Sequence, residues 1–311
     1  MFAAPVIQHL TGDRLHLSHG PIDVVLKAWG NMDGVGAAYA AAGTRFPAIL
    51  PELCDELTQL RRPMHERPVV DGPVARRMVE ACVPFAQVFV TPMAVVAGAV
   101  ADELLAHMTA AASLQRAFVN DGGDIAVLIA PGQVLDIGVA GEFSRGSVPP
   151  INGSVRLDAA SGVGGIATSG ARGRSFSLGI ADSVTILAHN AAAADVAATL
   201  VANAVTIDSP AIRRCPARDL DPDSDLRDLP VTISVGLLAP AEIEMALARG
   251  RDRALDYRRK GLIEDAALML QGRSRTLGDR GSGSPLDFTS VARAAAPAAP
   301  ASDRNRRAAR T

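Results

Sequence analysis

Aromatic side chains are scarce in this chain of 311 residues. One Trp, two Tyr and eight Phe make up 4% of it, so any core must be built from Ala, Val, Leu and Ile. Charge imbalance is also lacking. A formal net charge of −2 gives no electrostatic reason for a nucleic-acid partner. Cysteine is limited to Cys54, Cys82 and Cys215. The count is odd, the spacing wide and no Cys-x-x-Cys occurs, which argues against a disulfide framework and a structural zinc site. Cys82 sits in the apolar run Ala81–Phe85 with no base nearby, so it is read as packing rather than catalytic.

Other absences remove whole classes of chemistry. The six histidines are scattered without a His-Glu-x-x-His or His-x-Glu pattern, which disfavours a zinc hydrolase. There is no Gly-x-Ser-x-Gly elbow for a serine hydrolase, and no Gly-Lys-Ser/Thr for a P-loop. No run reaches the roughly 18 apolar residues of a membrane span. The longest, Val88 to Ala101, is broken by Pro92 and Gly98 and closed by Asp102. Met1 to Pro5 has no basic region and no long apolar run, so a signal peptide is not expected. A soluble, cytoplasmic protein with no membrane partner is the expectation.

What is present is ordinary globular material, 48% hydrophobic and 21% charged, enough for one large domain or two ordinary ones. Residues 14 to 29 alternate around His19-Gly20-Pro21 and predict a hairpin. Residues 34 to 60 carry leucines at helical spacing, and Val74 to Ala81 also reads as helix. Val88 to Thr91 reads as a short strand and Ala94 to Ala112 as a long helix. Strands are expected at Phe118–Asn120 and Ile125–Ala130, with Val134–Val139 continuing the sheet and Ser154–Leu157 adding to it. Val184–Ala188 is a strand, and Asn190 caps a helix to about Val205. An acidic loop, Arg218 to Asp228, precedes a strand over Val231–Leu237. Pro240 opens a helix to about Arg249, and a last helix covers Arg251 to Leu270. This irregular alternation favours an α+β, or mixed α/β, fold over a doubly wound sheet. One domain is expected over residues 1–271. Residues 272–311, rich in Gly, Ser, Ala and Arg, read as a disordered tail.

Four segments carry candidate chemistry. In the Ala/Val/Leu helix after Asn190, Asp195 and Thr199 stand at i and i+4 and therefore share a face. A carboxylate and a hydroxyl together suit a hard cation such as Mg²⁺; the commoner reading is a solvent-facing polar stripe. Asn120-Asp121-Gly122-Gly123-Asp124 is a tight turn, either a plain hairpin or glycines clearing room for a ligand beside Asp124. Gly162 to Ala167 matches G-x-G-x-x-G/A with Asp182 downstream, but Thr168-Ser169-Gly170 and Gly173 follow at once, where the dinucleotide fingerprint needs a helix. That stretch is either a surface loop or a phosphate-binding turn at Thr168 and Ser169, to which Arg172 and Arg174 add charge. The small-residue run Val90 to Ala99 permits close approach by a backbone or ligand. Asp219, Asp221, Asp223, Asp225 and Asp228 lack the Gly and Glu of a calcium loop and read as a solvated acidic loop.

Taken in order, these segments resemble the ApbE superfamily, the FAD:protein FMN transferases. The matching stretches are Ala94–Ala99, Asn120–Ile125, Thr168–Gly170 and Ala194–Thr199. The match is closer still to an uncharacterised cytoplasmic branch of that superfamily, through Thr91-Pro92-Met93-Ala94, the run Thr168 to Asp182, and the Asp-Pro-Asp-Ser-Asp-Leu loop at 221–226. The resemblance implies two packed subdomains with β-sheets flanked by helices and a cleft between them. It implies FAD, or a related flavin nucleotide, near Asn120, Gly122, Gly123, Asp124, Thr168, Ser169 and Gly170. It implies Mg²⁺ held by Asp195, Thr199 and the carbonyl near Val96, and a link to sulfur or one-carbon metabolism. The family's Lys is Ala97 in this sequence, and its His-x-x-Asp-Pro-x-x-Gly loop has no counterpart between Ser175 and Asp182. Three readings follow: flavin-nucleotide binding without assigned activity, active FMN transfer, or a non-enzymatic scaffold for a redox protein partner.

Overall fold

A computed structural model describes residues 3–140, 151–173, 175–277 and 286–287. In chain order the elements are β1 (Val6–Leu10), β2 (Arg14–His19), β3 (Ile22–Trp29), α1 (Met32–Asp55), α2 (Leu57–Leu60), α3 (Pro73–Cys82), α4 (Val96–Ala111), β4 (Arg116–Asp121), β5 (Asp124–Ile129), β6 (Val134–Ala140) and β7 (Ile151–Asp158). They continue with β8 (Gly165–Ser169), β9 (Ser183–Ala188), α5 (Ala191–Ala204), β10 (Ile212–Pro216), β11 (Pro230–Val235), α6 (Pro240–Arg259), β12 (Asp265–Leu270), β13 (Arg273–Thr276) and β14 (Leu286–Asp287).

Nine strands form one sheet in the order β1-β2-β3-β4-β5-β8-β9-β12-β13. Every ladder in it is antiparallel, so the fold is α+β and not doubly wound. Helices cover one face, burying the alternate residues of β3 and β4 against Phe46, Ile49, Leu104 and Met108. On the other face a second cluster, including Leu135, Leu157, Ile166, Leu187 and Met269, lies beneath β6 and β7. Strands β9 and β12 are covered on both faces and are buried along their whole length.

Four expectations are corrected. Strand β6 does not continue the main sheet: it pairs with β7 in a separate three-stranded sheet, because the far edge of β5 is taken by β8. Val88–Thr91 is not a strand; the Val90 carbonyl accepts from the Met64 amide before Pro92 opens a 3₁₀ turn. The expected pair of helices around Gly250 is a single helix, α6, followed by strand β12. A side chain at Gly250 would stand 2.7 Å from Leu268, so this glycine is a packing position inside the helix. Finally, the 3₁₀ turn and α4 together make one stretch, Pro92–Ala111, that is long and apolar enough to cross a membrane by length and composition; it packs between α1 and α5. Strand β13 lies past the expected boundary at 271; residues 278–285 and 288–311 of the expected tail lie outside the described residues.

Helix α5 shows how a core poor in aromatics packs. Eleven of its fourteen residues are buried, and its neighbours approach as backbone. Gly98, Gly164, Gly165 and Gly179 all face α5 or the turn that leads into it so closely that a Cβ would overlap main-chain atoms. At Gly98 that Cβ would lie 2.5 Å from the Ala191 carbonyl oxygen. In a solvent-facing helix Gly→Ala stabilises by roughly 1 kcal/mol. Gly98→Ala is expected to do the opposite, costing about 3 kcal/mol by overpacking, read as a drop in the urea midpoint with unchanged slope.

Candidate functional site

Helices α4 and α5 cap each other. Asn190 begins α5 as expected, its Oδ1 accepting from the Ala193 amide at 2.7 Å. The carboxylate of Asp102, from α4, accepts from the Ala191 and Ala192 amides at 3.0 and 2.9 Å. In return Asp195 of α5 accepts from the Gly98 amide of α4 at 3.1 Å. Each carboxylate thus meets amides in the first turn of the other helix, where donors lack intrahelical partners and the dipole favours negative charge. The start of α5 is therefore filled by the protein's own acid. The polar-stripe reading of this helix fails, since Asp195 is only 9% exposed.

Asp195 is electrostatically uncomfortable. Burial, then the charges of Asp124, Asp121 and Asp102, push its carboxyl well above the usual range, against one favourable hydrogen bond from Gly98. Thr199 lies one turn further along α5 and is half-buried, while Val96 opens α4 two residues before the amide that Asp195 uses. The three expected metal ligands therefore stand on the two helices that meet at Gly98. Among the described residues no three His, Cys, Asp or Glu side chains are grouped to hold a metal.

The Asn120–Asp124 turn joins β4 to β5. Both glycines have positive φ, 64° for Gly122 and 118° for Gly123, and the Gly123 amide donates to Asn120 Oδ1 at 2.9 Å. Two left-handed residues in a two-residue hairpin demand glycine on their own account. Asp124 then reaches across to β8, its Oδ1 accepting from the Thr168 amide at 3.3 Å, while the Thr168 hydroxyl meets that of Thr185 at 2.9 Å. Thus Asn120–Asp124 and Thr168–Gly170 lie together at one end of the sheet, and the charge of Asp124 acts on Asp195. Gly170 is buried, and it must be glycine because a Cβ would stand 2.5 Å from the Asp182 carbonyl oxygen.

Other motifs resolve differently. Gly165 to Ser169 is strand β8, and Gly164 and Gly165 press on the Asn190 turn, so the glycine run is neither a dinucleotide fingerprint nor a loose loop. Arg172 is paired with Asp182 at 2.7 Å and Asp182 also accepts from the Gln271 amide; Arg174 lies outside the described residues. The acidic loop is not simply solvated: the Thr91 hydroxyl, 2% exposed as a residue, donates to Asp225. Cys82 packs as expected. Its thiol donates to the Thr91 carbonyl at 3.8 Å, and burial, helped by the charge of Asp195, drives its pKa up. Asn203 near the end of α5 accepts from the Leu178 amide and the Ser177 hydroxyl, holding the 177–180 turn. Two cavities, of about 430 and 410 Å³, are lined by Met64, His65 and Arg67 and by Thr44, Arg45 and His107 among others; neither lining includes Asp195, Asp124 or Thr168.

The family model described as AbpE bacteria matches residues 7–276. The chain belongs to this family. The resemblance carried by the four motifs is thereby borne out at the level of the family. Among curated relatives, a UPF0280 protein of Methanopyrus kandleri is 35% identical over 137 residues, covering 44% of this chain and 51% of that one. A UPF0280 protein of Methanothrix thermoacetophila is 35% identical over 163 residues, covering 52% and 64%. The chain thus spans between half and two thirds of the length of these relatives, whose names carry no activity. The crystal structure of the ApbE protein of Thermotoga maritima overlaps 88% of this chain and 96% of its own at a TM-score of 0.47 and 15% identity, a likeness too slight to bear on chemistry.

Proposed function

We propose that this family member binds FAD or a related nucleotide together with Mg²⁺. The observation that carries the reading is Asp195, a carboxylate buried on an alanine helix with three other acids acting on it and one backbone amide in its favour. A divalent cation would reverse that local balance. The donors on offer are a carboxylate, the Thr199 hydroxyl and the carbonyl of Val96. All are oxygen, as Mg²⁺ prefers, and few enough to leave room for water and phosphate. Bound there, the cation would offset the charge of a pyrophosphate. The Asn120–Asp124 hairpin and the end of β8 at Thr168–Gly170 would flank the nucleotide, with Gly122 and Gly123 leaving space at the hairpin. The family's transferase residues are replaced at Ala97 and absent between Ser175 and Asp182, so the reading stops at binding.

The test is thermal denaturation and the visible spectrum of the purified protein, with and without FAD and Mg²⁺. A shift that needs both is expected, since a ligand that binds only the folded state stabilises it. No bound flavin and no Mg²⁺-dependent shift would refute the reading. AMP release with a covalent FMN adduct on an acceptor protein would replace it by active transfer.

A further inference from the structure

The two edges of the nine-stranded sheet are built differently. At one end β13 reads Arg-Ser-Arg-Thr, and Arg273 and Arg275 both pair with Glu244 of α6. Charge of this kind protects an edge from adding further strands. At the other end β1 reads Val-Ile-Gln-His-Leu. Among the described residues it pairs with β2 alone, and its ladder has no register shift. It has no proline and no Lys, Arg, Asp or Glu. Val6 and Ile7 are 49% and 45% exposed.

The helix beside this edge has the same character. Met32, Gly36, Ala40, Gly43 and Pro47 succeed one another on α1 at spacings of three and four, one continuous stripe, exposed or half-buried throughout. The stripe borders β1: a Cβ on Gly43 would stand 3.6 Å from Ile7, and the neighbouring Tyr39 ring lies 6.3 Å from that of His9. A backbone edge unpaired among the described residues and a helix flank of small residues without charge therefore form one surface.

We propose that this surface is the interface of a homodimer. A strand without acid, lysine or arginine can meet itself: turned about a twofold axis near Gln8, β1 of one copy meets β1 of the next antiparallel, with His9 opposite Ile7. The unpaired amides and carbonyls of each then satisfy those of the other. The main sheet continues from one copy into its partner. The two α1 helices come side by side, where Gly36, Ala40 and Gly43 allow close approach. No like-charge clash opposes this register, as it would at β13.

Light scattering on the full chain after size exclusion, at tens of micromolar, tests the proposal. A mass near twice the 32.2 kDa of one chain is expected. Two variants locate the face: Ile7→Lys charges the edge strand, and Ala40→Glu charges the exposed helix flank at a position that tolerates glutamate. Each, shown folded by far-UV circular dichroism, is expected to run as a monomer. A monomeric parent protein overturns the proposal, and so does a dimer that persists in either folded variant.

Discussion

Asp195→Asn is expected to make the ligand-free protein more stable and at the same time to abolish its response to Mg²⁺. The folded-state pKa of Asp195 is raised by burial and by Asp124, Asp121 and Asp102. A raised carboxyl pKa means that the folded chain binds the proton more tightly than the unfolded chain. Stability contributed this way is present at low pH and is lost as pH rises from the unfolded value through the folded one. At neutral pH an ionised Asp195 is therefore a liability. Asparagine keeps the oxygen that accepts from Gly98 and removes the charge. A gain of about 1–2 kcal/mol, or roughly 2–6 °C in Tm for a chain of this size, is the expected result.

The same change removes the one anionic ligand of the proposed cation site. The fall in Mg²⁺ affinity should exceed the roughly 10–100-fold that loss of an outer-shell partner causes. In the parent protein, Mg²⁺ affinity should tighten as pH rises, because the cation takes only the carboxylate form. Calorimetric scans of the two proteins at several pH values, with and without Mg²⁺, check both halves. An asparagine variant that is less stable when ligand-free, yet still stabilised by Mg²⁺, would leave Asp195 as a helix cap and nothing more.

That duality explains what sequence could and could not reveal. The pairing of Asp195 with Thr199, the Asn190 cap and the two-glycine hairpin are local patterns, and local physics decides them. The same holds for the β2–β3 hairpin and the long α1. Asp102 was visible only as the residue that closes an apolar run; its part in capping α5 exists because two helices meet at Gly98. Thr91 and Asp225 are 134 residues apart, and nothing near either one announces the other. Asp265–Leu270 has a composition that suits a helix, but a place between β9 and β13, covered on both faces, overrides propensity. The glycine run at 162–165 shows the converse. It has the form of a nucleotide motif, while its physical task is to let a strand lie against the start of α5.

Glu103→Ala should be the most destabilising substitution away from the proposed site. Glu103 is 3% exposed and follows Asp102 on α4. It accepts from Arg45 of α1 at 2.8 Å and Arg77 of α3 at 3.0 Å; His107 stands 3.4 Å away. Burial alone would raise its pKa, but the hydrogen bonds and charges of Arg45 and Arg77 outweigh that and hold it below the ordinary glutamate value. Truncation leaves the Arg45 guanidinium largely buried with Glu52 as its remaining partner. The expected loss is about 3 kcal/mol, the lower end for breaking a buried pair, and a large share of the stability of an ordinary domain. The sign of the pH dependence is opposite to that of Asp195. A depressed carboxyl pKa contributes stability that is full above the unfolded value and disappears as pH falls through the folded one. Glu103→Gln should therefore flatten the acid side of the stability curve, in denaturant melts taken from neutral pH down to about pH 3. Because this network fixes α4 against α1 and α3 from a side chain that does not touch Asp195, its loss should lower Tm while leaving Mg²⁺ affinity unchanged at temperatures where the variant is folded. A parallel loss of affinity would mean that the position of α4 itself, and not only the charge of Asp195, sets the cation site.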